Sequence, residues 1–222
     1  MIRHLLLDLD NTLYPASSTM DEGITNRMID FVARWLGVTR ERALELRKEG
    51  LSSNGTTLEW LRTSHGLTDM NRFFDAVHPE SEIEELTPDP ALRPYLQSLR
   101  LPMTLLTNAP MAHATRVLDF FGIRDLFVGV YDLTFHNGRG KPHPSSFLDT
   151  LAASGYGVDE TLFVDDLPKY CRGYRAIGGK AVLVDETDRY ADIARDEGFG
   201  RIRSIYALAE LLETPEYRAD RP

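Results

Sequence analysis

Asp8 and Asp10 stand two residues apart, directly after the nearly continuous apolar run of residues 2–7. On an extended segment that spacing turns both carboxylates to one side. One carboxylate can attack phosphorus and form an acyl phosphate, which splits a hard hydrolysis into two easier displacements. The other can handle the leaving-group proton, work that typically contributes about 10²–10⁴-fold. Two anions repel, so attack needs a hard cation between them, and magnesium prefers carboxylate, carbonyl and water oxygens. Asp165-Asp166 adds two acids after a second apolar run, Thr161–Val164. Adjacent acids at a buried strand end repel unless a cation or donors compensate, so this pair reads as metal-binding. Thr107 can donate a hydrogen bond to a phosphoryl group, and Lys141, in a Gly-rich turn, can balance its charge.

Each feature also has a plainer reading. Thr107-Asn108 suits a helix-capping turn equally well, and Lys141 alone would pass for a surface lysine. Gly55-Thr56-Thr57 reads as a loop and N-cap, with Asn54, Thr56 and Thr57 as candidate substrate contacts beside that. What raises the functional reading is where these residues fall. Apolar runs at 2–7, Met103–Leu106, Thr161–Val164 and Ala181–Val184 are each followed by polar or Pro/Gly residues and a helical stretch. That pattern predicts a doubly wound α/β domain on a parallel sheet. Ligands in such sheets bind beyond the carboxyl ends of the strands, where Asp8, Thr107-Asn108 and Asp165-Asp166 all stand.

The stretch from about Tyr14 to Leu86 breaks the rhythm. Ile24, Met28, Phe31 and Trp35 recur at helical spacing up to Gly37; Thr39 can cap a second helix through Gly50; Thr57–His65 and Asp69–His78 read as a third and fourth. We therefore expect residues 1–14 and 87–222 to form the α/β core, and 15–86 an inserted α-helical cap with Thr87–Pro90 as the return linker. From about Asp188 two more helices and a short strand near Ile202 are expected, with 214–222 fraying.

The bulk numbers narrow the partners. A chain of 222 residues, 42% hydrophobic and 27% charged, can bury a core without disulfides or a structural metal. Cys171 is the single cysteine, so no intrachain disulfide can form; a reducing cytoplasm and an inert buried thiol are expected. A net charge of −9 argues against a nucleic acid polymer as partner, yet suits a small phosphorylated metabolite, since a cation and a lysine reverse the field locally. Asp8 comes too early for a signal peptide, and no apolar run approaches the roughly 20 residues of a membrane span. A cytoplasmic protein with no membrane partner is expected, as monomer or homodimer. The six histidines show no pair at helical ligand spacing, so no zinc site is expected, and His65 and His113 read as helix-surface or packing residues. Trp35 and Trp60 read as core.

Asp8-Leu9-Asp10-Asn11-Thr12, Thr107-Asn108, Gly140-Lys141-Pro142 and Phe163-Val164-Asp165-Asp166 resemble, in order, the four motifs of haloacid dehalogenase superfamily phosphatases. The resemblance spans residues 2–186 and implies a Rossmann-like core with a cap that closes over the site. It implies Asp8 as nucleophile and Asp10 as acid and base. Mg²⁺ would be held by Asp8, the Asp10 main-chain carbonyl and Asp166, with Asp165 close by. Thr107, Asn108 and Lys141 would position the phosphate. True dehalogenases of the superfamily lack an acid where Asp10 stands. More finely, Asp10–Pro15, Gly55–Leu58, Val77-His78, and Thr107–Pro110 followed by His113 resemble the pyrimidine 5′-nucleotidase branch, which implies a nucleoside 5′-monophosphate as substrate. The chain departs from that branch at Leu167 and Tyr170, where serine and asparagine are usual and where a tyrosine organises the metal shell less well. Two other readings stand beside this one: a sugar-phosphate phosphatase or phosphomutase of the same superfamily, and a catalytically weak relative kept as a binding or regulatory protein.

Overall fold

All four residues of His4–Leu7 are buried, and successive side chains enter different cores. Leu5 and Leu7 pack on one face of the sheet and Leu6 on the other, as a strand covered by helices on both sides requires. The computed structural model describes residues 1–220. Its strands are β1 (His4–Leu7), β2 (Met103–Leu106), β3 (Phe127–Tyr131), β4 (Thr161–Asp165), β5 (Lys180–Val184) and β6 (Gly200–Ile202). They form one six-stranded sheet in the order β3-β2-β1-β4-β5-β6, with every neighbouring pair parallel. Each fully buried leucine of β1 contributes roughly 1.5–3 kcal/mol by leaving water. The one polar residue of that strand, His4, is satisfied sideways: Thr161 Oγ1 lies 3.0 Å from Nδ1 and Thr104 Oγ1 2.9 Å from Nε2.

From β1 to β2 the chain is helical: α1 (Thr19–Leu36), α2 (Arg40–Leu51), α3 (Thr57–Ser64) and α4 (Met70–Val77), then a 3₁₀ turn at Glu80–Glu85 and α5 (Leu92–Ser98). The expected helix limits hold to within about a residue, for local reasons. Gly37 adopts a left-handed φ of 66° that ends α1, and the Thr39, Thr56 and Asp69 side chains cap α2, α3 and α4. After β2 come α6 (Met111–Phe120), α7 (Pro144–Ser154), α8 (Pro168–Ala176), α9 (Ala191–Glu197) and α10 (Leu208–Leu211). Side chains of α5, α6 and α10 join the core with Leu5 and Leu7; those of α7, α8 and α9 join Leu6, Leu106 and Phe163. The first core runs on into the helical segment through Met20, Phe31, Leu58 and Trp60.

Two expectations are corrected. β3 is a strand beyond those the apolar runs predict, since it is a half-exposed edge strand with Gly129 at its centre. The segment 214–220 does not fray: Ile2 donates to the Arg218 carbonyl at 2.9 Å, Asp220 donates back to Ile2 at 2.7 Å, and Tyr217 is buried. The remainder of that expectation, residues 221–222, lies outside the described residues. Among the described residues, no helix is long and apolar enough to cross a membrane.

The chain runs outward from β1 through β2 to β3, then returns to the opposite flank of β1 as β4. The strand order therefore reverses between β1 and β4, which opens a crevice beyond their carboxyl ends.

Candidate active site

Asp8 extends the β1 ladder by one bond, its N–H donating to Val164 O at 3.0 Å, so its side chain projects at the mouth of that crevice. Asp165 ends β4 on the other side, and Asp166 follows it. Asn11 takes a positive φ of 59°, which turns the chain back immediately after Asp10, and its Nδ2 donates to Asp166 Oδ2 at 3.3 Å. The Gly140 turn brings Lys141 between the two strand ends. Its buried Nζ donates to Asp8 Oδ1 and to Asp165 Oδ2, both at 2.6 Å. Asn108 fixes the lysine backbone at both ends: Lys141 N donates to Asn108 Oδ1 and Asn108 Nδ2 donates to Lys141 O, each at 2.9 Å. Thr107 is buried, and its Oγ1 accepts from Ala109 N at 3.0 Å.

Carboxylate oxygens of Asp8, Asp165 and Asp166 lie within 4.8 Å of one another. Burial drives Asp8 up to about 7 despite the pull of Lys141, and it raises Asp165 too. Asp166 is pushed well above the usual carboxylate range by burial and by its neighbours Asp165 and Asp8. Burial would lower Lys141, but Asp165 and Asp8 together hold it above its ordinary value. Two buried acids and a half-buried third against one lysine leave the cluster short of positive charge. Asn11 Oδ1, beside Asp166, is buried without a hydrogen-bond partner. An all-oxygen donor set with a charge deficit and an unpartnered acceptor suits a hard divalent cation.

Asp10 faces a second network. Its Oδ1 accepts from the Tyr14 hydroxyl at 2.5 Å and lies 2.8 Å from His113 Nε2. Burial alone would raise Asp10, but the His113 charge and hydrogen bond, with that of Tyr14, hold it below the usual range. Burial would likewise lower His113, yet Asp10 and Glu82 drive it up to about 9. Of the two expected places for His113, surface or packing, it takes the packing one: it is fully buried, and it is in addition tied to a candidate site acid. The available signal was its place on the apolar stripe of α6 with Ala114, Val117 and Leu118. His78, Glu82 and His113 also converge, with ligand atoms within 4.8 Å, a grouping that sequence spacing does not display. Glu82 is already engaged there by Arg116 Nη2 at 2.6 Å.

A cavity of about 490 Å³ opens over these groups. Asp8, Asp10, Thr107, Asn108, Lys141 and Asp166 line its floor, and Thr56, Met28, Arg47 and Phe73 of the helical segment line it from above. Asp165 is fully buried behind Lys141, where its Oδ1 accepts from Leu167 N at 2.9 Å. Asn54 is not part of the lining; its amide donates to Gly50 O at 2.9 Å and accepts from Thr63 at 3.1 Å. Thr56 lines the cavity while its Oγ1 accepts from Glu59 N at 3.0 Å. Tyr170 is buried with its ring 5.0 Å from Lys141 Nζ, and Leu167 lies at the cavity wall. Cys171 is buried and free, and Trp60 is core, as read from sequence.

Comparison with known proteins places this geometry in a family. The chain is 25% identical to phosphate metabolism protein 8 of Saccharomyces cerevisiae over 235 residues, covering 95% of this chain and 73% of that protein. It is 30% identical to a phosphoserine phosphatase of Thermus thermophilus, covering 83% of this chain and 70% of that one. Among solved structures, the fold is similar to a HAD phosphatase from Thermococcus onnurineus (TM-score 0.66, 24% identity, 95% of this chain and 98% of that one). It is also similar to the L-2-haloacid dehalogenase of Xanthobacter autotrophicus with chloropropionic acid covalently bound (TM-score 0.62, 18% identity, 97% and 100%). The model of the haloacid dehalogenase-like hydrolases matches residues 2–178, and the chain belongs to that family.

Proposed function

We propose that the chain is a magnesium-dependent phosphomonoesterase that works through an aspartyl phosphate on Asp8. The observation that carries this reading is the close group of Asp8, Asp165 and Asp166, with one lysine bonded to the first two, at the point where the strand order reverses. Asp8, Asp166 and the Asp10 carbonyl would hold Mg²⁺, with Asp165 close by. The bound ion offsets the repulsion between an anionic nucleophile and an anionic ester.

The chain's own residues do the rest. Asp8 attacks phosphorus, and Lys141, held rigidly by Asn108 and Asp165, balances the charge of the phosphoryl oxygens. The Thr107 hydroxyl, with its oxygen already accepting from Ala109, has its proton free to donate to the phosphoryl group. Asp10 handles the leaving-group proton and later activates water. The helical segment 15–86 acts as a cap: it walls the cavity from above and excludes water on closure, and its motion sets turnover where chemistry is fast. The proposed substrate is a nucleoside 5′-monophosphate, the class to which the Asp10–Pro15 and Gly55–Leu58 resemblance points. Cap-side Thr56 is the proposed substrate contact; Asn54 supports the turn before α3.

One observation favours a second reading, a sugar-phosphate phosphatase or phosphomutase acting on esters that carry a second anionic group. Arg47 and Lys169 line the cavity and form no ion pair with a described carboxylate; they bond instead to Thr57 Oγ1 at 2.9 Å and Gly55 O at 2.8 Å. A phosphate-release screen across nucleotides, sugar monophosphates and bisphosphates, run with Mg²⁺ and with chelator, separates these. Turnover that needs Mg²⁺ and is lost in Asp8→Asn supports the phosphatase. Full activity in that variant removes the nucleophile assignment, and no turnover on any ester leaves the binding-protein reading.

A further inference from the structure

Asp10 is held by more than its place in the chain. Its Oδ1 takes both hydrogen bonds, from Tyr14 and His113, and no described residue donates to Oδ2. The second ring nitrogen of His113, Nδ1, lies 2.8 Å from Glu82 Oε1. With a carboxylate at each nitrogen, the ring carries both protons. Glu82 is buried in turn: Arg116 Nη2 donates to its Oε1 at 2.6 Å, and His78 Nδ1 lies 3.0 Å from its Oε2. Asp10, His113, Glu82 and Arg116 therefore form one chain of alternating charge, in which two carboxylates balance an imidazolium and a guanidinium. His113 comes from α6 of the sheet domain, whereas Glu82 lies in the Glu80–Glu85 turn that leads back from the helical segment. Arg27 of α1 bonds the same turn through Glu85, its Nη1 2.5 Å from Oε1. A largely buried carboxylate–imidazolium pair is a weak contributor to stability, because desolvation consumes much of the attraction. Its geometric effect is definite: it ties down Oδ1 of Asp10 and leaves Oδ2 unengaged.

We propose that His113, anchored by Glu82, is a positioning residue that fixes Asp10 so that Oδ2 alone exchanges the reaction proton. The inference rests on the phosphatase reading above. Oδ2, ionised at rest, takes a proton from solvent as the substrate enters, and passes it to the leaving oxygen as the bond from phosphorus to that oxygen breaks. When water attacks the phosphorus of the Asp8 acyl phosphate and releases the Asp8 carboxylate, the water proton returns to Oδ2. Neither His113 nor Glu82 touches the substrate in this scheme. They keep the acid aimed, and the return turn of the helical segment supplies the anchor.

The test is a leaving-group series: kcat/KM for phosphomonoesters from p-nitrophenyl to simple alkyl phosphates, measured for wild type, Asp10→Asn, His113→Gln and Glu82→Gln. An aimed acid matters most when the departing alkoxide is basic. His113→Gln and Glu82→Gln should therefore lose about 10-fold or more beyond their p-nitrophenyl phosphate loss when given an alkyl phosphate. The loss should fall on kcat, with KM held within about threefold. A merely structural role lowers the active fraction, hence every substrate by one common factor. That common factor in both variants overturns the proposal. Should His113→Gln fail to fold, Glu82→Gln carries the same comparison, since it keeps the size of the side chain but removes the charge that anchors the imidazolium. If Asp10→Asn itself shows no leaving-group dependence, the acid–base reading fails instead, and the two failures stay distinguishable.

Discussion

Replacing Asp8 by asparagine keeps the outline of the side chain and removes its charge, and the structure sets the size of the consequence. Asp8 is 6% exposed, and burial raises it from 3.8 in the unfolded chain to about 7 in the folded one. As pH rises between those values the unfolded chain gives up its proton first, so the raised group costs the native state stability until the loss is complete above about 7. From pH 5 to pH 8 about two such units apply, each near 1.4 kcal/mol, which makes roughly 3 kcal/mol. Asparagine has nothing to ionise. In chelator, the stability of Asp8→Asn relative to wild type should therefore rise by roughly 3 kcal/mol across that interval, read from urea unfolding of both proteins at each pH. Saturating Mg²⁺ should narrow the gap at pH 8 by stabilising the ionised wild-type carboxylate. A gap that stays constant with pH refutes the reasoning. It would mean that Lys141 already holds Asp8 ionised at pH 5 and that the cluster is not short of positive charge.

Further expectations follow from the same contacts. Lys141→Met leaves Asp8 and Asp165 buried without their cation and should cost about 3–5 kcal/mol in denaturant unfolding at pH 7. In Gly140→Ala the new methyl group would collide with Asn108 Oδ1, which fixes the Lys141 backbone; a displacement near 1 Å should lower kcat/KM about 100-fold, read by phosphate release. Thr39→Ala removes the cap of α2, remote from the chemistry, and should cost about 1 kcal/mol in thermal unfolding with turnover retained.

Much of the fold was legible because the sheet is parallel and covered on both faces, so β1, β2, β4 and β5 are short apolar runs that end where polar side chains begin. β3 escaped because an edge strand need not be apolar throughout; Val128 is 58% exposed. The tail at 214–220 looked loose because its polar composition hides backbone pairing with Ile2, a partner at the far end of the chain. Asp8, Lys141, Asp165 and Asp166 were legible because each ends or follows a strand, or sits in a turn, whose register places it at the crevice. His113 was not. Its role comes from Asp10, 103 residues earlier, and from Glu82 on a separate element, and no local pattern encodes that meeting. Nor does helical periodicity distinguish a residue that lines the cavity, such as Thr56, from one that supports the wall, such as Asn54.

The most direct measurement is chemical trapping of the covalent intermediate. The protein is quenched in acid during turnover of a phosphomonoester with Mg²⁺, reduced with borohydride and mapped by peptide mass spectrometry. The account predicts that residue 8, and no other aspartate, is converted to homoserine, and that the mark is absent without substrate and in Asp8→Asn. Steady turnover with residue 8 unmodified, or with the mark on Asp10, Asp165 or Asp166, would contradict it.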